Sequence, residues 1–299
     1  MKYYSLNHNA PTVSFEEAVI QGLATDRGLY FPENITPLPT AFFDNIENQS
    51  NEEIAFQAIQ QFVGDEIPET ELRAIIKDTL CFDFPVVEVE KGIYSLELFH
   101  GPTLAFKDVG ARFMSRCLGY FSKQSRAEKI KNSKGVEDIS NIENESIQAK
   151  PSTVLVATSG DTGGAVANGF LGVEGVEVII LYPKGKVSPI QELQLTTCGQ
   201  NITALEVEGT FDDCQAMVKD AFMDASLNQH LTLTSANSIN VARWLPQQLY
   251  YFFAWQQWVA QYGDNTPMHI VVPSGNFGNI CAGMMAKASG LPLGHFVAA

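Results

Sequence analysis

The chain has 299 residues, 45% of them hydrophobic and 18% charged, and its 34 acidic and 19 basic residues leave a net charge of −15. That length and apolar content suffice for one large domain or two to three smaller ones. So acidic a chain repels nucleic acid and anionic membranes, and an anionic ligand would need a positive potential built locally at its site.

The first 85 residues read as a mostly helical N-terminal domain. Helical apolar spacing covers Ser14–Gly22, Asn51–Val63 and Glu69–Leu80, with Pro-containing turns between them. Residues 122–150 are rich in Lys, Glu, Asn, Ser and Gln and poor in large apolar side chains. Such a stretch cannot bury enough surface to offset its ordering entropy, so a mobile surface insertion is expected, with a partner-binding loop as the alternative.

From Ser152 onward, β-branched runs alternate with helical patterns. The expected strands are Thr153–Thr158, Val176–Tyr182, Ile202–Val207, Leu231–Thr234 and His269–Val272. The expected helices are Gly163–Leu171, Pro189–Thr197, Asp212–Asn228, Val241–Tyr262 and Asn279–Ser289. Ser188-Pro189-Ile190-Gln191 and Thr210-Phe211-Asp212-Asp213 carry helix-start signals: a hydroxyl cap, with Gln or Asp three residues on. The alternation implies an α/β protein with a largely parallel sheet and helices on both faces.

Four stretches could carry chemistry. In His100-Gly101-Pro102-Thr103-Leu104-Ala105-Phe106-Lys107-Asp108, Lys107 follows several large apolar residues. A desolvated lysine can be a neutral, nucleophilic amine; the competing reading is an ordinary lysine on a solvated helix face. Ser159-Gly160-Asp161-Thr162 joins a strand to a helix and offers hydroxyls and N–H groups to a carboxylate, or simply caps that helix. Ser235 to Arg243 brings Asn237, Asn240 and Arg243 to another such junction. Gly275-Asn276-Phe277-Gly278-Asn279 opens the last helix, where free N–H groups and the helix dipole suit a phosphate, although a plain turn also favours Gly and Asn. It matches neither a P-loop nor a dinucleotide fingerprint. Lys184 and Lys186 follow a strand end, on the side of a parallel sheet where ligands bind.

Other chemistry has little to stand on. The five cysteines are odd in number and form no C-x-x-C pair, which fits a reducing cytoplasm better than a disulfide or zinc framework. The five histidines are scattered, no metal-ligand cluster emerges, and there is no G-x-S-x-G elbow. Neither a signal-peptide core nor a membrane-length apolar run is present.

The ordered set L-F-H-G-P-T-L-A-F-K-D, A-T-S-G-D-T-G, S-A-N-S-I-N and P-S-G-N-F-G-N resembles the threonine synthase family, closest to its bacterial and fungal branch. The opening segment Tyr3–Pro32, with G-L-A-T-D-R-G-L-Y-F-P, is similar as well. The resemblance implies the tryptophan-synthase-β-like fold (fold type II), which is pyridoxal 5'-phosphate (PLP) dependent. It also implies the conversion of O-phospho-L-homoserine and water to L-threonine and phosphate. A phospho-lyase giving 2-oxobutyrate, or a non-catalytic remnant of the fold, are the alternatives. Lys107 would carry the cofactor covalently and shuttle protons. Gly275, Asn276, Phe277, Gly278 and Asn279 would contact the cofactor, with the loop around its phosphate. Ser159, Gly160, Asp161 and Thr162 would hold the substrate carboxylate, with Asn237 and Asn240 alongside. Lys184, Lys186, Arg243 or Arg112 would meet the substrate phosphate.

Where many relatives of the wider fold have Asn, this chain has Asp161. Residues 86–110 and 238–299 are expected to form a large cofactor domain, and 111–237 a small substrate domain. The family runs on past the position of Ala299, so the expected large domain is incomplete here and the partner of the pyridine nitrogen is expected beyond it. The protein is expected to be a cytoplasmic monomer.

Overall fold

The structure, a computed structural model, describes residues 1–133, 151–263 and 266–299. The chain opens with β1 (Tyr3–Ser5), α1 (Phe15–Gln21), β2 (Tyr30–Pro32), the single turn α2 (Thr40–Phe43), α3 (Asn51–Val63) and α4 (Glu69–Thr79). At the start of α1, Ser14 and Glu17 cap each other's backbone. The Glu66 carboxylate accepts from the N–H groups of Phe15 (2.9 Å) and Glu16 (2.7 Å), so the orphan donors of that turn are met. Ile54, Ala55, Ala58, Ile59 and Phe62 of α3 are buried, the spacing of one helix face. The region is not purely helical, since β1 and β2 pair antiparallel. Strands of three residues are too short for alternation to announce them.

Next comes an antiparallel hairpin, β3 (Val86–Glu90) and β4 (Ile93–Leu96), turning at Gly92 with φ +79°. The long helix α5 (Asp108–Ser133) follows. It corrects the expectation of an insertion starting at Ser122: residues 122–133 continue the helix, and the rest of the expected insertion, 134–150, lies outside the described residues. Lys, Arg, Glu, Gln and Ala are good helix formers, so a segment with little to bury can still extend an anchored helix.

The following elements are β5 (Ser152–Ala157), α6 (Asp161–Phe170), β6 (Val176–Pro183), α7 (Pro189–Thr196), β7 (Ile202–Val207), α8 (Phe211–Met223), α9 (Ala225–His230) and β8 (Thr232–Ser235). The strands form a parallel sheet in the order β7-β6-β5-β8. Strand alternation sorts its two faces. Val154, Val156, Val178 and Ile180 pack with Val166 and Phe170 of α6 in the main core. Leu155, Ala157 and Leu181 face the other way, onto Cys214 and Val218 of α8. The single helix expected over Asp212–Asn228 is broken at Asp224, whose carboxylate accepts from Ser226 and Leu227 and starts α9.

The last elements are α10 (Val241–Trp244), α11 (Leu249–Tyr262), β9 (Met268–Val272), α12 (Gly278–Ala288) and β10 (Leu293–Ala298), with β9 and β10 parallel. The single helix expected over Val241–Tyr262 is interrupted by a 3-10 stretch, Leu245–Gln248, where Pro246 cannot donate to the α-helical ladder. Among the described residues, no helix is long and apolar enough to cross a membrane.

Candidate active site

Lys107 lies just before α5, in a segment folded by Asp108. The buried Asp108 carboxylate accepts from the Thr103 backbone N–H at 3.0 Å and from its hydroxyl at 2.5 Å. Gly101 packs against the same carboxylate: a Cβ there would come within 2.4 Å of Asp108 Oδ2. Burial pushes the Asp108 carboxyl up, and the bonds from Thr103 oppose that. The half-buried Lys107 amine donates to Thr162 Oγ1 at 3.0 Å. Burial lowers its pKa, Asp161 works against that shift, and the Arg243 charge adds to it. A lysine so placed loses its proton more readily than a surface lysine, which is what an amine nucleophile needs.

The β5–α6 turn brings Thr162 to Lys107. Thr158 Oγ1 accepts the backbone N–H groups of Gly160 (3.0 Å) and Gly163 (2.8 Å). Thr158 thus does the capping expected of the Ser159–Thr162 stretch. Gly160 has φ +143°, and a Cβ there would lie 2.5 Å from the Gln191 side chain. Gln191 Nε2 in turn donates to Asp161 Oδ1 at 2.6 Å, fixing that carboxylate from α7.

The third component is the β9–α12 turn. Phe277 adopts φ +60° at the helix start, and its side chain makes no capping bond there. Asn276 donates to Ser238 Oγ at 2.8 Å, and Asn279 donates to Gln247 Oε1 at 3.1 Å. A cavity of about 130 Å³ is lined by Phe106, Lys107, residues 273–277 and Asn279. It joins the amine to the start of α12. A larger cavity, about 770 Å³, is lined in part by Asp44 and Glu47, which suits an anion poorly.

The remaining expected residues are placed differently. Asn237 Nδ2 donates to Ala157 O at 3.0 Å, tying the ends of β8 and β5 together. Asn240 is fully buried, donating to Val19 O (2.9 Å) and Ser235 O (3.1 Å) and accepting from Ala242 N–H (3.0 Å). Arg243 is only 1% exposed, donates through Nη1 to Ala236 O, and has its pKa lowered to about 10 by burial. Arg112 is held by Asp78 at the end of α4, and Lys184 pairs with Glu208. Lys186 is exposed beyond the end of β6. The structure therefore gathers Lys107, Thr162, Gly275, Asn276, Phe277 and Asn279, while Asn240, Arg243, Arg112 and Lys184 have other partners. Ser238, Gln247 and the contact of the capping residue Gln191 with Asp161 were not visible in the sequence, because these are contacts between separate elements.

Residues 72–299 match the family described as pyridoxal-phosphate-dependent enzyme, and residues 2–80 match the threonine synthase N terminus. The chain belongs to the pyridoxal-phosphate-dependent enzyme family. It is 42% identical over its whole length to the threonine synthase of Escherichia coli, covering 64% of that protein, and 41% identical over 97% of its length to that of Saccharomyces cerevisiae, covering 56%. The crystal structure of the Escherichia coli enzyme superposes with a TM-score of 0.83, at 43% identity, over 100% of this chain and 64% of that one. The PLP-bound threonine synthase of Brucella melitensis gives 0.84 at 36% identity, over 100% of this chain and 60% of that one. The chain thus spans less than two thirds of the length of these relatives. The residues fit the cofactor: an amine of lowered basicity shares one cavity with a helix start where the N-cap, Phe277, makes no side-chain bond and Asn276 Oδ1 meets the Gly278 N–H only at 3.4 Å. A Cβ on Gly275 would meet nothing within 4 Å, so the loop is open there to an approaching group.

Proposed function

We propose that the chain supplies the lysine and the anion loop of a threonine synthase, which converts O-phospho-L-homoserine and water to L-threonine and phosphate. The observation that carries this reading is the half-buried Lys107 amine facing the start of α12 across one cavity. Pyridoxal phosphate, carried on Lys107, supplies a sink for the electron pairs released when the substrate loses protons from carbon. In this reading, α12 receives the cofactor phosphate on its first N–H groups, and Gly275, Asn276, Phe277, Gly278 and Asn279 shape the turn that presents them.

Released when the substrate's amine takes its place on the cofactor, the Lys107 amine would be the base for the substrate's Cα proton and then for one at Cβ. Thr162 Oγ1, at 3.0 Å, holds that amine in place between transfers. The substrate carboxylate binds at the start of α6, on Ser159 and Thr162, beside Gly160, whose N–H Thr158 holds, with Asp161 kept aside by Gln191. Phosphate leaves from Cγ and water adds at Cβ, so the loop must admit one water while the leaving phosphate is held. Lys186, exposed at the carboxyl end of the sheet, is the cation we assign to that phosphate. Residues 86–110 and 238–299 would then form the cofactor domain and 111–237 the substrate domain. Five free cysteines fit a cytoplasmic protein, and a monomer is the expected state.

The test is turnover of O-phospho-L-homoserine by this chain and by a chain extended to the relatives' length. Threonine with equimolar phosphate supports the reading. Release of 2-oxobutyrate instead would assign a phospho-lyase, and no product from either chain would refute both.

A further inference from the structure

Two adjacent tyrosines at the start of α11 reach two different parts of the candidate site. Tyr250 is 1% exposed, and its hydroxyl donates to the backbone carbonyl of Phe106, the residue before Lys107. The Tyr251 hydroxyl lies 2.9 Å from the backbone carbonyl of Asn279 and 2.6 Å from its side-chain oxygen, at the start of α12. Neighbouring residues on a helix point about 100° apart, so one rigid turn can hold two separate segments.

Both tethered segments need holding. Leu104, three residues before Lys107, has φ +57°, a conformation costly for a non-glycine residue, and its side chain is exposed. Phe277, two residues before Asn279, has φ +60°. Burial raises the pKa of both tyrosines well above normal, so both hydroxyls keep their protons and remain donors. The Asn279 end is held a second time through Gln247, which donates to Arg243 O at 2.9 Å and accepts from Asn279 Nδ2 at 3.1 Å.

We propose that Tyr250 and Tyr251 are positioning residues that set the spacing between the Lys107 amine and the anion loop at the start of α12. The proposal rests on the assignment of Lys107 and that loop to the cofactor. Each hydroxyl acts on one end: Tyr250 through the Phe106 carbonyl on the lysine, Tyr251 through Asn279 on the loop.

The experiment compares Tyr250→Phe, Tyr251→Phe and the parent chain in three measurements. Lys107 acetylation against pH, read by mass spectrometry without cofactor, reports the lysine segment. Binding of pyridoxine 5'-phosphate, which lacks the aldehyde, reports the loop. Borohydride capture of pyridoxal 5'-phosphate reports the spacing.

Tyr250→Phe is expected to move the Lys107 acetylation midpoint up towards the ordinary lysine range, as water enters the loosened segment. Asp161 and Arg243, the charges facing Lys107, are unchanged in that variant. Tyr251→Phe is expected to leave that midpoint alone and to weaken pyridoxine 5'-phosphate about tenfold, the scale of one buried hydrogen bond. Both variants should lose capture, and 4-aminophenylalanine at 250, which restores a donor, should recover it.

Identical acetylation and binding in all three proteins would overturn the proposal. So would losses that merely follow a fall in Tm, since that is a general structural role. Failure of the parent to capture the cofactor, with the two separate shifts still seen, would overturn the cofactor assignment and leave the positioning intact.

Discussion

Replacing Thr158 by Val removes one oxygen and keeps the shape. In the structure that oxygen accepts two backbone N–H groups, Gly160 at 3.0 Å and Gly163 at 2.8 Å, and donates to Gly160 O at 3.1 Å. Thr158 is 1% exposed, so water cannot replace it without moving the turn. A buried donor left unmet costs about 1–3 kcal/mol, which puts Thr158→Val at roughly 2–4 kcal/mol once the turn relaxes. Urea unfolding should show a lower midpoint at unchanged slope. Native-state hydrogen exchange should show faster exchange at Gly160 and Gly163 in particular. Thr158→Ser keeps the oxygen and loses a methyl that packs on Gly163, so it should cost only about 1 kcal/mol and leave exchange slow. A Val variant within about 0.5 kcal/mol of the parent, with protection unchanged, would refute the claim that Thr158 shapes the carboxylate turn.

Three further outcomes are expected. Gly160→Ala must adopt φ +143° and push aside Gln191, so it should lose about 1–3 kcal/mol in urea unfolding and release Asp161 from its amide partner. Lys186→Ala should raise the KM for O-phospho-L-homoserine about tenfold or more, whereas Lys184→Ala, already paired to Glu208, should change it less than twofold by the same steady-state assay. Lys107 has a lowered pKa, so between that value and the ~10.4 of an unfolded lysine the unfolded chain binds more protons and stability rises with pH. Lys107→Met removes the penalty, so its Tm should exceed the parent's at neutral pH, with the gap closing as pH rises through about 10.

The parallel sheet was legible because its central strands, β5 and β6, are largely buried on both faces, and its strands read as β-branched runs between helical patterns. The sequence bounds of β7 coincide with the structure, those of β5, β6, β8 and β9 differ by at most one residue at either end, and β3, β4 and β10 were not foreseen. What was not legible depended on partners distant in sequence. The polar second half of α5 looked like a loop by composition, but it continues a helix anchored by Val109, Phe113, Met114 and Phe121 in the core. Pro246 and Asp224 carried visible break signals inside strongly periodic stretches, where the periodicity masked them. At the site, the helix starts were readable from local residue types, whereas Lys107 stood out only through its place in the ordered set of motifs, since its local sequence also fits an ordinary surface lysine. Arg112 and Lys184 looked free in sequence, yet each has a carboxylate partner 34 and 24 residues away. Tyr250 and Tyr251 were visible only as part of an apolar run, since their hydroxyls act on Phe106 and Asn279 across the fold.

The central claim is that Lys107 carries the cofactor. It is tested most directly by mixing the chain with pyridoxal 5'-phosphate, reducing with borohydride and mapping the modified peptide by mass spectrometry. One dominant adduct is expected, on Lys107, abolished in Lys107→Ala. An adduct spread over exposed lysines such as Lys186, or one that persists undiminished in Lys107→Ala, would contradict it.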